Sequence, residues 1–214
     1  RGDRSIDVVL ATHPDADHIG GLPLVLERYH VGLFLTSQVL TDTATFAGLY
    51  KVLQEKHIPS YYVRRGMTLT LDPHSPIPAM FSILFPDRDT TNWETNSASV
   101  VGRLQLGERS ALFTGDSPSP IEHYLATIDP KGIDVDILKL GHHGSKYSSS
   151  TEFLKATSPV LALISAGVGN RYGHPNQETL DRLKSLSIPW VSTQDHGQVT
   201  LTTDGNTWTE KDEK

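Results

Sequence analysis

The apolar and polar residues along the chain follow two periods in alternation. Short continuous apolar runs are typical of strands buried on both faces, and they predict strands at Ile6–Ala11, Val31–Leu35, Asp134–Leu140 and Val160–Ser165. Apolar residues at helical spacing predict helices over Gly20–His30, Asp42–His57 and Asn176–Ser187.

Shorter strands complete the pattern. The stretch 61–85 is divided by turn residues into several of them, and Ser99–Leu106 and Ser110–Thr114 flank a turn as in a β-hairpin. The tail predicts three more strands, at Trp190–Ser192, Gln198–Thr203 and Thr207–Thr209. Helices interspersed through two runs of strands indicate layers of sheet covered by helices, an α/β protein.

Composition narrows the class of protein. The 214 residues suffice for a sizeable core, and we expect residues 1–214 to form one domain. No apolar run reaches the ~18 residues needed to span a bilayer. The chain has no cysteine, which excludes disulfides and thiolate metal sites. Its formal charge of −6 provides no overall attraction for nucleic acid.

Ligand-capable side chains are concentrated directly after the first predicted strand. The order is His13, Asp15, Asp17 and His18, followed by a Gly-Gly pair. The carboxyl ends of strands are where open α/β sheets place their ligand sites, and imidazole and carboxylate both bind borderline cations. The alternative is a charged surface loop, but such a loop would scatter its charges. The spacing therefore favours a metal site.

Five stretches together resemble one family. They are, in chain order, "THPDADHIGG", "NSASVV", "LFTGD", "ILKLGHHGSKYSSS" and "GNRYGHP". The first is similar to the metal motif of the metallo-β-lactamase superfamily, with Asp15 where that family has a second histidine. The set most resembles the C-terminal hydrolase domain of ComEC-type DNA-uptake proteins. The resemblance implies a four-layer αββα sandwich.

Three later groups extend the candidate site. Asp116 follows a strand and could cap the next helix, but beside the first motif a ligand role is favoured. His142 and His143 follow another strand, whose neighbouring side chains point to opposite faces; we expect His142 to bind metal and His143 to donate a proton or contact phosphate. His174 precedes a helix, a position suited to meeting an anion, and we expect it to contact a metal or the substrate.

The resemblance implies roles for these residues in metal-assisted hydrolysis. The metal ligands are expected to be His13, Asp15, Asp17, His18, Asp116 and His142. The catalytic residues are expected to be Asp17, which orients the attacking water, with His143 or His174 as proton donor. The expected substrate-binding residues are Asn96, Ser99, Ser145 and Lys146. Further candidate phosphate contacts are Lys139, Arg103 and Arg171.

The resemblance implies one or two divalent cations, but the first of the two sites is depleted. No histidine occurs between Pro76 and Gly115, so the usual third ligand of that site is missing. Asp15 also replaces a histidine. We therefore expect one firmly bound cation and one weakly bound cation. The added carboxylate favours Mn²⁺, with Zn²⁺ or Mg²⁺ as alternatives.

The expected function is a nuclease that degrades DNA, single-stranded in the first instance, during DNA uptake. The implied partners are DNA, a membrane-embedded channel part of the same protein and other competence proteins. The implied location is the bacterial cell membrane, with this domain itself soluble. Two alternatives stay open: a hydrolase of another ester (phosphorylcholine ester, lactone or thioester), and a metal-binding interaction domain without turnover.

The chain is also expected to be a fragment of a longer protein. Only twelve residues precede His13, whereas superfamily members carry several strands before this motif. We expect part of one sheet to be absent, leaving an unpaired edge strand.

Overall fold

A computed structural model describes residues 4–213. The amino-terminal part forms a three-stranded parallel sheet in the order β1-β2-β3. Its strands are β1 (Ser5–Ala11), β2 (His30–Thr36) and β3 (Ser60–Tyr62). Its helices are α1 (Ala16–Ile19), α2 (Leu22–Arg28) and α3 (Ala44–Glu55). In the described residues β1 pairs only with β2, which leaves its other edge unpaired.

The remainder builds a larger sheet of seven strands. These are β4 (Thr68–Leu71), β5 (Ala79–Phe85), β6 (Val101–Leu106), β7 (Arg109–Phe113), β8 (Ile137–Lys139), β9 (Leu161–Ile164) and β10 (Trp190–Ser192). Their order is β10-β9-β8-β7-β6-β5-β4. Strands β4 to β7 are antiparallel neighbours, including the predicted hairpin, and β7 to β10 are parallel.

The remaining helices and strands follow in the second half of the chain. The helices are α4 (Ser119–Ile128), α5 (Pro130–Ile133), α6 (Thr151–Thr157), α7 (Gln177–Ser185) and α8 (Thr193–His196). Strands β11 (Gln198–Thr203) and β12 (Trp208–Glu213) pair as an antiparallel hairpin. Among the described residues, no helix has the length and apolar character needed to cross a membrane.

Three apolar clusters define the layers. Phe34 of β2 packs with Leu26 and Leu49 of the first helices, while its neighbour Leu35 packs with Ile83 of the large sheet. This alternation places the small sheet between helices and the second sheet. A third cluster joins the other face of the large sheet to α4–α7, as residues of β8, α4 and α6 share it. The order is helices, sheet, sheet, helices, which confirms the αββα sandwich.

The predicted helix Gly20–His30 is shorter in the structure, where it is α2, and a short helix that the sequence did not predict, α1, precedes it. The break lies at Gly20-Gly21, where Pro23 stands in the first turn of α2, and proline is favoured at a helix start but not in its interior. The break matters because α1 carries Asp17 and His18.

Strand β8 is shorter than predicted. Its expected first residues are diverted because the Asp136 carboxylate accepts hydrogen bonds from Ser110 N at 2.8 Å and from Arg109 at 3.0 Å. At its other end the chain leaves the sheet at Gly141 and forms a 3₁₀ turn over Gly141–Gly144. That turn holds the two adjacent histidines.

Candidate metal centre

The first motif forms the loop and short helix after β1. His13 is fully buried, and its Nδ1 is hydrogen-bonded to Thr12 Oγ1 at 3.0 Å, which fixes the ring. Asp15 is the N-cap residue of α1, but its side chain makes no capping bond. Its Oδ2 lies instead 3.9 Å from His13 Nε2. Asp17 and His18 follow within α1.

Asp116 reaches the same place from the large sheet. It follows β7 after Gly115, whose φ of 54° is in the left-handed region, and its backbone N–H donates to Ser99 Oγ at 3.1 Å. The Asp116 carboxylate is buried, with Oδ1 3.2 Å from His18 Nε2 and Oδ2 3.9 Å from His13 Nε2. One carboxylate therefore faces both histidines of the first motif.

The adjacent histidines do not point to opposite faces. His142 and His143 both adopt left-handed backbone conformations, with φ of 48° and 56°, so the strand geometry assumed from the sequence ends before them. His143 Nδ1 donates to the Ser165 carbonyl at 2.7 Å. Its Nε2 lies 3.1 Å from His18 Nε2 and 3.4 Å from Asp17 Oδ2. His142 Nε2 lies 3.8 Å from Asp116 Oδ2.

Four side chains form the tightest cluster. Each offers one ligand atom, and these atoms lie within 4.8 Å of one another; the residues are Asp17, His18, Asp116 and His143. The structure thus brings His143, rather than His142, into this group. The sequence predicts the ligand role for His142 and not for His143. His142 stays a predicted ligand, since its Nε2 also lies close to Asp116 but outside the four-residue cluster.

The electrostatics match a site that attracts cations. Burial raises the pKa of the Asp116 carboxyl, but the hydrogen bond from His18 and the charges of His18, His13 and His143 outweigh it, and the pKa is held well below its ordinary value. Burial, followed by the neighbouring His18, lowers the pKa of His13 to about 4. Both groups are therefore deprotonated at neutral pH, as metal ligands must be.

An unpaired buried atom tests whether a cation fits. His13 Nε2 is buried without a hydrogen-bond partner, which is costly unless something else satisfies it. It faces Asp15 and Asp116 oxygens, each 3.9 Å away. Asp116 therefore belongs to two groups of ligands: one with His13 and Asp15, and the other the four-residue cluster. The donor set fits two divalent cations, one of them with fewer protein ligands.

His174 lies at the edge of this group. Its ring centroid is 5.4 Å from that of His142, and its Nδ1 is buried without a hydrogen-bond partner. Burial, followed by the charges of His142 and His143, lowers its pKa. Together with Asp17 and His143 it lines a cleft of about 530 Å³, whose other walls are Ser165, Ala166, Gly167, Asn170, Tyr172 and Thr193.

The predicted substrate-binding residues occupy different positions. Asn96 begins a 3₁₀ turn, and its Oδ1 is buried without a hydrogen-bond partner. Ser99 and Ser145 are buried, and Ser99 supports Asp116 through the hydrogen bond described above. Lys146 is exposed, with its backbone N–H bound to Asn176 Oδ1 at 2.8 Å. Substrate binding by these four residues stays a prediction.

The three further residues predicted to contact phosphate lie in two kinds of environment. Arg103 donates to the carbonyls of Lys131 and Gly132, and Lys139 Nζ donates to the Leu140 carbonyl at 2.7 Å. These two cations are engaged within the protein. Arg171, by contrast, stands on an exposed loop beside the cleft.

Sequence reasoning missed two supporting residues. Buried Glu122 of α4 accepts hydrogen bonds from Ser149 N at 2.6 Å and Ser150 N at 3.1 Å, and so holds the segment that follows the two histidines. Tyr172 lies in the motif "GNRYGHP", but its place at the cleft was not predicted. A glutamate in an ordinary amphipathic helix gives no sequence indication of such a role.

Comparison with protein families supports the resemblance. The model described as "Metallo-beta-lactamase superfamily" matches residues 1–168. ComE operon protein 3 of Bacillus subtilis (strain 168) is 30% identical over 199 residues, covering 93% of this chain and 25% of that protein. Recombination protein 2 of Haemophilus influenzae is 30% identical over 194 residues, covering 91% and 22%. The chain thus spans about a quarter of these relatives' length.

A third relative, competence protein ComA of Neisseria gonorrhoeae, is 29% identical over 192 residues, covering 90% of this chain and 24% of that protein. These relatives are ComEC-type competence proteins, which confirms the narrower resemblance.

Solved structures agree on the fold. The metallo hydrolase Igni18 from Ignicoccus hospitalis superposes with a TM-score of 0.57 at 13% identity, covering 97% of this chain and 80% of that one. The metallo-beta-lactamase fold protein YhfI from Bacillus subtilis gives 0.54 at 14% identity, covering 88% and 75%. At these identities the likeness concerns the fold alone.

Proposed function

The chain belongs to the metallo-beta-lactamase superfamily, and from this premise we propose that it is a metal-dependent phosphodiester hydrolase that degrades single-stranded DNA during DNA uptake. One observation carries the proposal of hydrolysis. The Asp116 carboxylate lies within 3.9 Å of Nε2 of His13, His18, His142 and His143. A buried carboxylate between two groups of ligands can serve two cations, and paired cations stabilise both the attacking and the leaving oxygen of a displacement.

The residues that would hold the cations divide at Asp116. Asp17, His18 and His143 would hold one, and His13 and Asp15 the other, with His142 as a further donor. When bound, such cations polarise the phosphoryl oxygens and make water nucleophilic near neutral pH. The second group is poorer in imidazole, so its occupancy is expected to be weaker. The carboxylates shift the preference from Zn²⁺ towards Mn²⁺ or Mg²⁺, and Mn²⁺ is the cation we propose.

Proton transfer is assigned to two residues. The Asp17 side chain is 60% exposed at the cleft, so its carboxylate can orient the attacking water and accept its proton. His174 is the better placed proton donor for the leaving oxygen, because it lines the cleft without belonging to the four-residue cluster. His143 has its Nδ1–H engaged with Ser165 and its Nε2 turned into the cluster, which suits a ligand.

Two lines of support favour DNA over another ester. The relatives are ComEC-type competence proteins, and exposed Lys146 and Arg171 offer cations for phosphate oxygens close to the site. The formal charge of −6 opposes binding of a polyanion, so affinity is expected to be weak and to fall with salt. We propose that a membrane-embedded part of the same protein and other competence proteins assist at the bacterial membrane.

The test is hydrolysis of end-labelled single-stranded DNA with Mn²⁺, Mg²⁺ or Zn²⁺. We expect Mn²⁺-dependent cleavage that falls at least about 100-fold in Asp17→Ala. The matched control is Asp7→Ala, which removes an exposed carboxylate from β1 and is expected to retain activity.

Two other outcomes would replace the proposal. Hydrolysis of a phosphorylcholine ester, lactone or thioester without DNA cleavage would assign another substrate class to the same residues. Bound metal without hydrolysis of any ester would indicate an interaction domain without turnover.

A further inference from the structure

We propose that Tyr172 is a stacking platform for an unpaired nucleobase beside the scissile phosphate, which makes the cleft selective for single-stranded nucleic acid. The inference rests on the proposed nuclease function and extends it to a base-binding subsite. It is carried by the position of an exposed aromatic ring at the rim of the cleft that Asp17 and His143 also line.

The Tyr172 ring is exposed to solvent. Tyr172 is 60% exposed, whereas aromatic side chains usually contribute to stability by being buried. It stacks on His174 with ring centroids 5.8 Å apart and an angle of 17° between the planes. The His174 ring meets the His142 ring edge to face, with centroids 5.4 Å apart, so a row of three rings leads from His142, which is next to Asp116, to the surface.

The segment that carries the ring is anchored at its base. Asn170 donates to the carbonyls of Gly167 and His174, at 3.0 and 2.6 Å, and accepts from His174 N. Gln194 donates to the same two carbonyls, each at 2.8 Å. Two amide side chains therefore close the neck of the loop 167–174, so the exposed tip keeps a fixed position relative to the cleft.

Charge and shape select the occupant. The Arg171 guanidinium lies over the Tyr172 ring, 4.7 Å from its centroid. A base that stacks on this face would displace the guanidinium and keep the cation next to it, and single-strand-binding proteins combine aromatic rings and cations in this way. Every base has a face that can stack, so such a platform tolerates any sequence. In a duplex those faces are covered by neighbouring base pairs, and the ring has no partner there.

The experiment compares two fluorescein-labelled substrates of equal length, oligothymidylate and an oligomer of abasic tetrahydrofuran nucleotides. KM is measured from cleavage, and Kd from fluorescence anisotropy in EDTA, where turnover stops. For the wild-type chain we expect the abasic oligomer to have a KM and Kd about tenfold higher or more. In Tyr172→Ala this ratio is expected to approach one, and in Tyr172→Phe to persist.

The matched control is Tyr29→Ala. Tyr29 is also exposed, but it stands at the end of α2, before the amino end of β2, whereas the site follows the carboxyl end of the parallel strand β1; the wild-type ratio is expected. DNA cleavage with an unchanged ratio in Tyr172→Ala would overturn the platform and leave the nuclease intact. Failure of the wild-type chain to cleave or bind either oligomer would overturn both.

Discussion

His18 and His143, 125 residues apart in the chain, place their Nε2 atoms 3.1 Å from each other. His18 leaves the small sheet on α1, and His143 leaves the large sheet on a left-handed turn. The Asp116 carboxylate lies within 3.6 Å of both Nε2 atoms. Two imidazoles and a carboxylate that converge in this way are arranged as ligands of a common cation.

The shared carboxylate leads to a prediction about stoichiometry. Asp116→Ala is expected to remove both cations, because both groups of ligands use that side chain. Asp15→Ala is expected to remove only the weaker one. Metal content after gel filtration, measured by plasma mass spectrometry, checks this. Retention of one full equivalent in Asp116→Ala would show that the carboxylate does not bridge.

The adjacent histidines make a second prediction. His143→Ala is expected to lower the affinity for the firmly bound cation, because His143 belongs to the four-residue cluster. The loss should exceed the roughly 10–100-fold seen when a residue that only supports a ligand is replaced. His142→Ala is expected to affect mainly the second cation. Calorimetric titration of the metal-free chains with Mn²⁺ distinguishes the two. The reverse pattern would restore His142 as the principal ligand.

Gly115 supplies a prediction about stability. A Cβ there would lie 2.9 Å from Ser99 Cβ and 3.1 Å from Thr12 Cβ, in a backbone with φ of 54°. Gly115→Ala should therefore cost about 2–5 kcal/mol, the sum of left-handed strain and crowding, and weaken metal binding by displacing Asp116. Gly66→Ala is the control: φ is 91° but no atom lies within 4 Å, so about 1–2 kcal/mol is expected. Urea denaturation measures both, and equal losses would contradict the crowding.

Glu122 gives a prediction about pH. Burial raises its pKa from 4.5 to about 7 although Ser149 N and Ser150 N donate to it. The folded state therefore binds this proton more tightly than the unfolded state, so its contribution to stability is complete below pH 4.5 and is lost as pH rises through 7.

The variant Glu122→Gln lacks this titration. The unfolding free energy of the wild-type chain minus that of the variant should fall by on the order of 3 kcal/mol between pH 4.5 and 8. Denaturation at several pH values measures the difference. A difference that grows with pH would mean that the two N–H donors outweigh burial.

Much of the fold followed from the sequence because its patterns are local. The buried strands around Val8–Leu10 and Ala162–Ile164, and the hairpin at β6–β7, are where the apolar periods and turn residues placed them. The sequence predicted that the first motif and Asp116 belong to one site, because both directly follow strands. Helix α1 was not predicted, because its four residues, Ala16–Ile19, are too short a stretch to show a helical apolar period.

The orientation of His142 and His143 could not be predicted. Alternation along a strand gives opposite faces, but the strand ends at Lys139 and both histidines adopt a left-handed backbone. That conformation depends on contacts from distant segments, such as the Ser165 carbonyl that receives His143 Nδ1. Tyr172 was missed for the same reason, since its exposure depends on Asn170 and Gln194 closing the loop beneath it.

The separation between the ligands along the chain also determines at what point during synthesis the cluster can form. Asp17 and His18 leave the ribosome early, whereas His143 follows His18 by 125 residues. A nascent chain that ends before residue 143 has the first motif but not the groups that complete the cluster. The four-residue cluster is therefore completed late in the synthesis of this domain, and we predict that a ribosome-bound chain stalled before this point binds no cation there with native affinity.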